Sequence, residues 1–90
     1  MATKKKILVV EDNRPLGKAM KIQLEKAGFE VAQAYDGKEA ILKAKQLNPD
    51  IITLDLLMPE LDGFEVLKLL KLNKETEQIP VIILTTYDIK

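Results

Sequence analysis

Aliphatic residues gather into short runs that end abruptly in polar ones. Ile7, Leu8, Val9 and Val10 stop at Glu11, Asp12 and Asn13; Ile51, Ile52, Thr53 and Leu54 stop at Asp55; Val81, Ile82, Ile83 and Leu84 follow Pro80 and stop at Thr85 and Thr86. Continuous runs of this length, rich in β-branched side chains, read as parallel strands buried on both faces, and residues 29–34 read as a weaker second strand. Between the runs the apolar period lengthens to that of a helix. Asn13 as N-cap and Pro15 in the first turn open a first helix with Leu16, Ala19, Met20, Leu24 and Ala27 on one face and Gly28 as its stop. Asp36 and Glu39 have capping-box spacing ahead of Ala40, Ile41, Ala44 and Leu47, and Asn48 and Pro49 end this second helix. Asp62 and Glu65 repeat that spacing before a third helix running to about Leu72, whose Leu67, Leu69, Leu70 and Leu72 make it apolar on more than one face. Residues 73–78 read as a polar link to the fourth strand.

Strands alternating with helices imply a parallel sheet covered by helices on both faces, the doubly wound α/β arrangement. Ligands of such sheets bind beyond the carboxyl ends of the strands. Glu11, Asp12, Asp55 and Thr85 all fall at those ends.

Composition narrows the chemistry. Ninety residues make one small domain at most. Fourteen basic and fourteen acidic residues cancel, with the basic ones scattered apart from Lys4, Lys5 and Lys6, so direct nucleic-acid binding is not expected. The lysine run is read as a solubilising flank of the first strand. The chain has no Cys and no His, which removes thiol and imidazole chemistry and metal ligation by either group. No apolar run approaches a membrane span or a signal-peptide core, so a cytoplasmic protein is the expectation. Three carboxylates at one sheet edge repel one another unless they share protons or a cation, and an all-oxygen set suits Mg²⁺.

Glu11 and Asp12 after the first strand, Asp55 closing the third, then Pro59, Asp62 with Gly63, and Thr85 after the fourth form an ordered set. Together they resemble the receiver domains of response regulators in two-component signalling. That resemblance implies a flavodoxin-like (CheY-like) doubly wound parallel sheet of strand order 2-1-3-4. It makes Asp55 the phosphoacceptor, receiving phosphoryl from a phosphohistidine on a histidine kinase or phosphotransfer protein. It assigns Mg²⁺ to the Asp12 and Asp55 side chains and the Leu57 carbonyl, with Glu11 acting through water, and makes Thr85 the switch hydroxyl. Standing beside these roles, Thr85 also reads as a strand-end hydroxyl and Asp62 as a helix cap.

Asp88, Ile89 and Lys90 fall where a receiver would begin its fourth helix. The resemblance therefore implies a partial receiver domain over residues 1–90, incomplete because the fifth strand, the last two helices and the lysine that pairs with the phosphoryl oxygens are absent; Lys90 lies too early for that role. Part of the first and third strands and one side of the fourth are then expected to be uncovered, which predicts a homo-oligomer formed through the strand-four edge and the uncovered sheet face. The alternative to a phosphoacceptor module is an engineered or natural half-domain that works as a self-associating assembly fragment without phosphotransfer. An aspartate-dependent phosphatase fits less well, because Leu57 stands where an acid/base group would be wanted.

Overall fold

The computed structural model describes residues 3–58 and 61–84. In chain order these form β1 (Lys6–Val10), α1 (Arg14–Lys26), β2 (Glu30–Ala34), α2 (Gly37–Leu47), β3 (Ile51–Asp55), β4 (Leu57–Met58), β5 (Leu61–Asp62), α3 (Gly63–Leu72) and β6 (Val81–Leu84). The main sheet is parallel, in the order β2-β1-β3-β6. Setting aside the two-residue strands β4 and β5, which pair antiparallel with each other, this is the expected 2-1-3-4 order.

The three helices among the described residues begin where the capping chemistry places them. Asn13 Oδ1 accepts from the Leu16 N–H at 3.0 Å, Asp36 Oδ1 from the Glu39 N–H at 2.7 Å, and Asp62 Oδ1 from the Glu65 N–H at 3.2 Å. Each bond satisfies a backbone donor that the first helical turn leaves free. The reciprocal half of the second capping box reaches one residue further out, with the Tyr35 N–H donating to Glu39 Oε1 at 2.6 Å. Asn48, in the left-handed region at φ 45°, closes α2 ahead of Pro49.

Alternation along the strands divides the interior in two. Leu8, Val10, Ile52 and Leu54 point to the side covered by α2 and α3, where they meet Ala40, Ala44, Val66 and Leu70. Ile7, Val9 and Val31 point to the other side, against Met20 and Leu24 of α1 and Phe29. Several side-chain expectations are corrected here. Leu16 and Ala19 of α1 and its C-cap Ala27 are exposed, and the residue of that helix buried against the sheet is Gly17. Leu47 is also exposed, as are Leu69 and Leu72 of α3. Each helix touches the sheet along one narrow seam, so only the residues on it are covered. The first and third strands are not uncovered: Ile7, Val9, Thr53 and Leu54 are all buried. The exposed apolar strand is β6, where Ile82 is 48% accessible and Ile83 and Leu84 are also open.

The link after α3 is a packed element and not merely polar. Thr76 is 1% accessible, and its hydroxyl donates to the Leu70 carbonyl at 2.7 Å. Asn73 gathers the turn by accepting from the Thr76 and Glu77 N–H groups, and the Lys71 ammonium donates to the Glu77 and Ile79 carbonyls. Ile79 then enters the core and aims the chain into β6. Because the Thr76 bond satisfies an orphan carbonyl at the end of α3 in a buried place, Thr76→Val is expected to lower stability by about 1–3 kcal/mol, read as a lower urea midpoint with unchanged slope.

Candidate functional site

The site is built by register. Val10 pairs with Leu54 across β1 and β3, so the next residues, Glu11 and Asp55, leave the sheet side by side on the face that α1 covers. Both are deeply set, at 5% and 6% accessibility. The Glu11 N–H extends the ladder by donating to the Ala34 carbonyl at 3.1 Å, and Asp55 pairs with Leu84 on its other side. The backbone carrying the two carboxylates is therefore held from both flanks.

Two helix starts close over this edge. The Asn13 N–H donates to Glu11 Oε2 at 3.2 Å while its side chain caps α1, so the β1–α1 turn is braced on Glu11 itself. The Arg14 guanidinium then stacks over the Tyr35 ring, 4.1 Å from its centroid, tying the start of α1 to the chain leaving β2. On the opposite flank, Gly63 opens α3 so close to β3 that a Cβ there would stand 2.6 Å from the Leu56 Cα and 2.8 Å from the Asp55 carbonyl oxygen. Only glycine allows that approach.

Electrostatically the edge is under strain. Burial raises the Glu11 pKa above the ordinary glutamate value; the Asn13 N–H partly offsets this, and the Asp55 charge, a hydrogen bond with the Asp12 side chain and the Asp12 charge push it further up. Glu11 thus senses Asp55 and Asp12 as like charges. Among the described residues no group of three or more Asp, Glu, His or Cys side chains is arranged to hold a metal ion. The donors nonetheless have the hard, all-oxygen chemistry of a Mg²⁺ site.

The structure thus brings Glu11, Asp12 and Asp55 to one place. The Leu57 backbone lies two residues beyond Asp55 at the start of β4, paired with Asp62; Thr85 and Pro59 lie outside the described residues, as does Lys90. Asp62 is seen as the cap of α3. Sequence reasoning missed half-buried Gln33, whose Nε2 is shielded, and buried Thr53, two polar side chains one row below the carboxylates. Their signal was parity: both stand at positions of β2 and β3 that share a face with apolar neighbours.

The profile of the response regulator receiver domain matches residues 7–90. The chain is 43% identical over 84 residues to the alkaline phosphatase synthesis transcriptional regulatory protein PhoP of Bacillus subtilis, covering 93% of this chain and 34% of that protein. It is 42% identical over 80 residues to the DNA-binding dual master transcriptional regulator RpaA of Synechocystis, covering 89% of this chain and 33% of that protein. The chain therefore spans about a third of the length of these two curated relatives. Among solved structures, the N-terminal domain of a response regulator receiver protein from Methanoculleus marisnigri superposes with a TM-score of 0.89 at 31% identity, covering 98% of this chain and 72% of that one. A Vibrio cholerae chemotaxis response regulator gives 0.86 at 35% identity, covering 94% and 71%.

The raised Glu11 pKa has a definite sign in stability. The folded chain holds the Glu11 proton more tightly than the unfolded chain, so this contribution is fully present below the ordinary glutamate value and is lost as pH rises through the raised one. In buffer free of divalent cations, Glu11→Gln is expected to flatten that pH dependence and to raise neutral-pH stability by about 1 kcal/mol, measured by urea unfolding across a pH series.

Proposed function

The chain belongs to the response regulator receiver domain family, and on that premise we propose that it is a phosphoacceptor module of two-component signal transduction, with Asp55 taking phosphoryl from a phosphohistidine in trans. The observation that carries this reading is the placement of Asp55: register-locked at the carboxyl end of the central β3, with Glu11 beside it and Asp12 next along the chain. One Asp55 carboxylate oxygen forms the bond to phosphorus as the phosphorus–nitrogen bond of the donor breaks, and the departing imidazole nitrogen takes up a proton. The fixed backbone on both sides of Asp55 holds that oxygen in place for in-line attack. Asp12, Asp55 and the Leu57 carbonyl, with Glu11 acting through water, would hold Mg²⁺, which supplies positive charge to the phosphoryl oxygens.

The donor is a histidine kinase or a phosphotransfer protein, because the chain has no histidine of its own. No helix among the described residues is long and apolar enough to cross a membrane, and we place the reaction in the cytoplasm. Thr85 directly follows the last described residue of β6 and is assigned the switch hydroxyl. One neutral donor contributes about 0.5–1.5 kcal/mol net, so such a switch requires two states already close in energy, and phosphorylation acts as a population shift.

A second reading concerns association. The outer edge of β6 has no strand partner among the described residues, and Ile82, Ile83 and Leu84 are exposed there. An edge of this kind favours pairing with another copy.

Intact mass of the folded chain, incubated with Mg²⁺ and a small acyl-phosphate donor, tests the first reading: one phosphoryl adduct is expected, and none in Asp55→Asn. An adduct that survives the substitution, or a folded parent chain that takes up none, would overturn it. For association, sedimentation equilibrium is expected to show a concentration-dependent dimer that Ile82→Lys weakens at least tenfold; a monodisperse monomer at high concentration removes the idea.

A further inference from the structure

Two buried polar atoms among the described residues lack a hydrogen-bond partner, Gln33 Nε2 and Thr53 Oγ1. They are not scattered. Gln33 and Thr53 both pair with Val9, one on each side of β1, so they occupy a single row across the sheet. Glu11 is two residues beyond Val9 on the same face, a step of about 7 Å. Two unspent donors thus lie directly beneath the acidic edge.

Gln33 also has a space kept for it. A Cβ at Gly17 would stand 2.9 Å from Gln33 Nε2 and 3.7 Å from the Glu11 Cβ, so the missing side chain of this buried α1 residue leaves room beside both side chains together. Glycine inside a helix is destabilising relative to alanine, and a buried donor without a partner is destabilising too. Two local costs meeting at one point, next to a buried carboxylate, mark a place arranged for something other than stability. Glu11 is at present engaged with the Asn13 N–H and the Asp12 side chain. An ionised carboxylate accepts several hydrogen bonds, so Glu11 has room for a donor besides the Asn13 N–H, and a charge-assisted bond from a neutral amide is a strong one.

We propose that Gln33 is a positioning residue for Glu11: its buried side-chain amide donates to the Glu11 carboxylate when the acidic edge binds a divalent cation, in the room left by Gly17. This rests on the phosphoacceptor reading above. Outer groups of this kind orient the donors nearest a metal, and losing one weakens metal binding by 10–100-fold.

The test uses the full ninety-residue chain, isotope-labelled, titrated with Mg²⁺ and followed by NMR. The Gln33 side-chain amide resonances are expected to move on saturation. Gln33→Met, which keeps the shape and removes the unpartnered donor, is expected to fold with undiminished stability and to weaken Mg²⁺ binding about tenfold. In a Glu11→Gln background the same change is expected to have no further effect, a coupling that a merely structural role would not produce. An unchanged dissociation constant in Gln33→Met, or an equal loss in both backgrounds, would overturn the proposal while leaving the phosphoacceptor reading intact. A parent chain that binds no Mg²⁺ and forms no phosphoryl adduct would overturn that reading, and this proposal with it.

Discussion

Everything at the carboxyl edge depends on β1 and β3 being parallel neighbours in a fixed register. Pairing Val10 with Leu54 leaves Glu11 and Asp55 no choice but to emerge together on one face. A slip of one residue would move one carboxylate to the α2–α3 side and separate the pair. The register buries Glu11 beside Asp55, and burial first, then the Asp55 charge, raises the Glu11 pKa. Such an edge is stable only if the rest of the domain holds it.

The rest of the domain is arranged accordingly. Asn13 braces Glu11 with its backbone and caps α1 with its side chain, so the loop that carries Asp12 is anchored twice. Gly63 brings the positive end of α3 hard against the Asp55 carbonyl, where helix and strand backbone touch without an intervening side chain. The α2–α3 side of the sheet holds the denser core, with Leu8, Ile52, Leu54 and Leu70 fully buried. On the other side α1 covers a smaller cluster, and its buried seam is interrupted at Gly17 above Gln33.

Much of the fold was legible because it is encoded in local patterns. Three aliphatic runs became β1, β3 and β6, and three caps, Asn13, Asp36 and Asp62, became the helix starts, since capping chemistry acts over three or four residues. Other features escaped for equally physical reasons. Thr76 looked like a surface residue in a polar stretch, and only the return of the chain toward β6 buries its hydroxyl on the Leu70 carbonyl. Leu16 and Leu47 satisfy a helical period, yet the folded chain leaves both exposed. The short β4–β5 pairing lacks the length for any sequence period to reveal it.

The sequence by itself determined the class of fold and the acidic set, because strand runs, helix caps and the residues that end strands are written in neighbouring positions. It also excluded thiol and imidazole chemistry through the absence of Cys and His. Tertiary structure alone decided which of those carboxylates are buried side by side, which apolar residues remain open on β6, and that Gln33 lies beneath Glu11 in a gap left by Gly17. These depend on distances between residues far apart in the chain. Strand order and register set those distances, and no local pattern carries them.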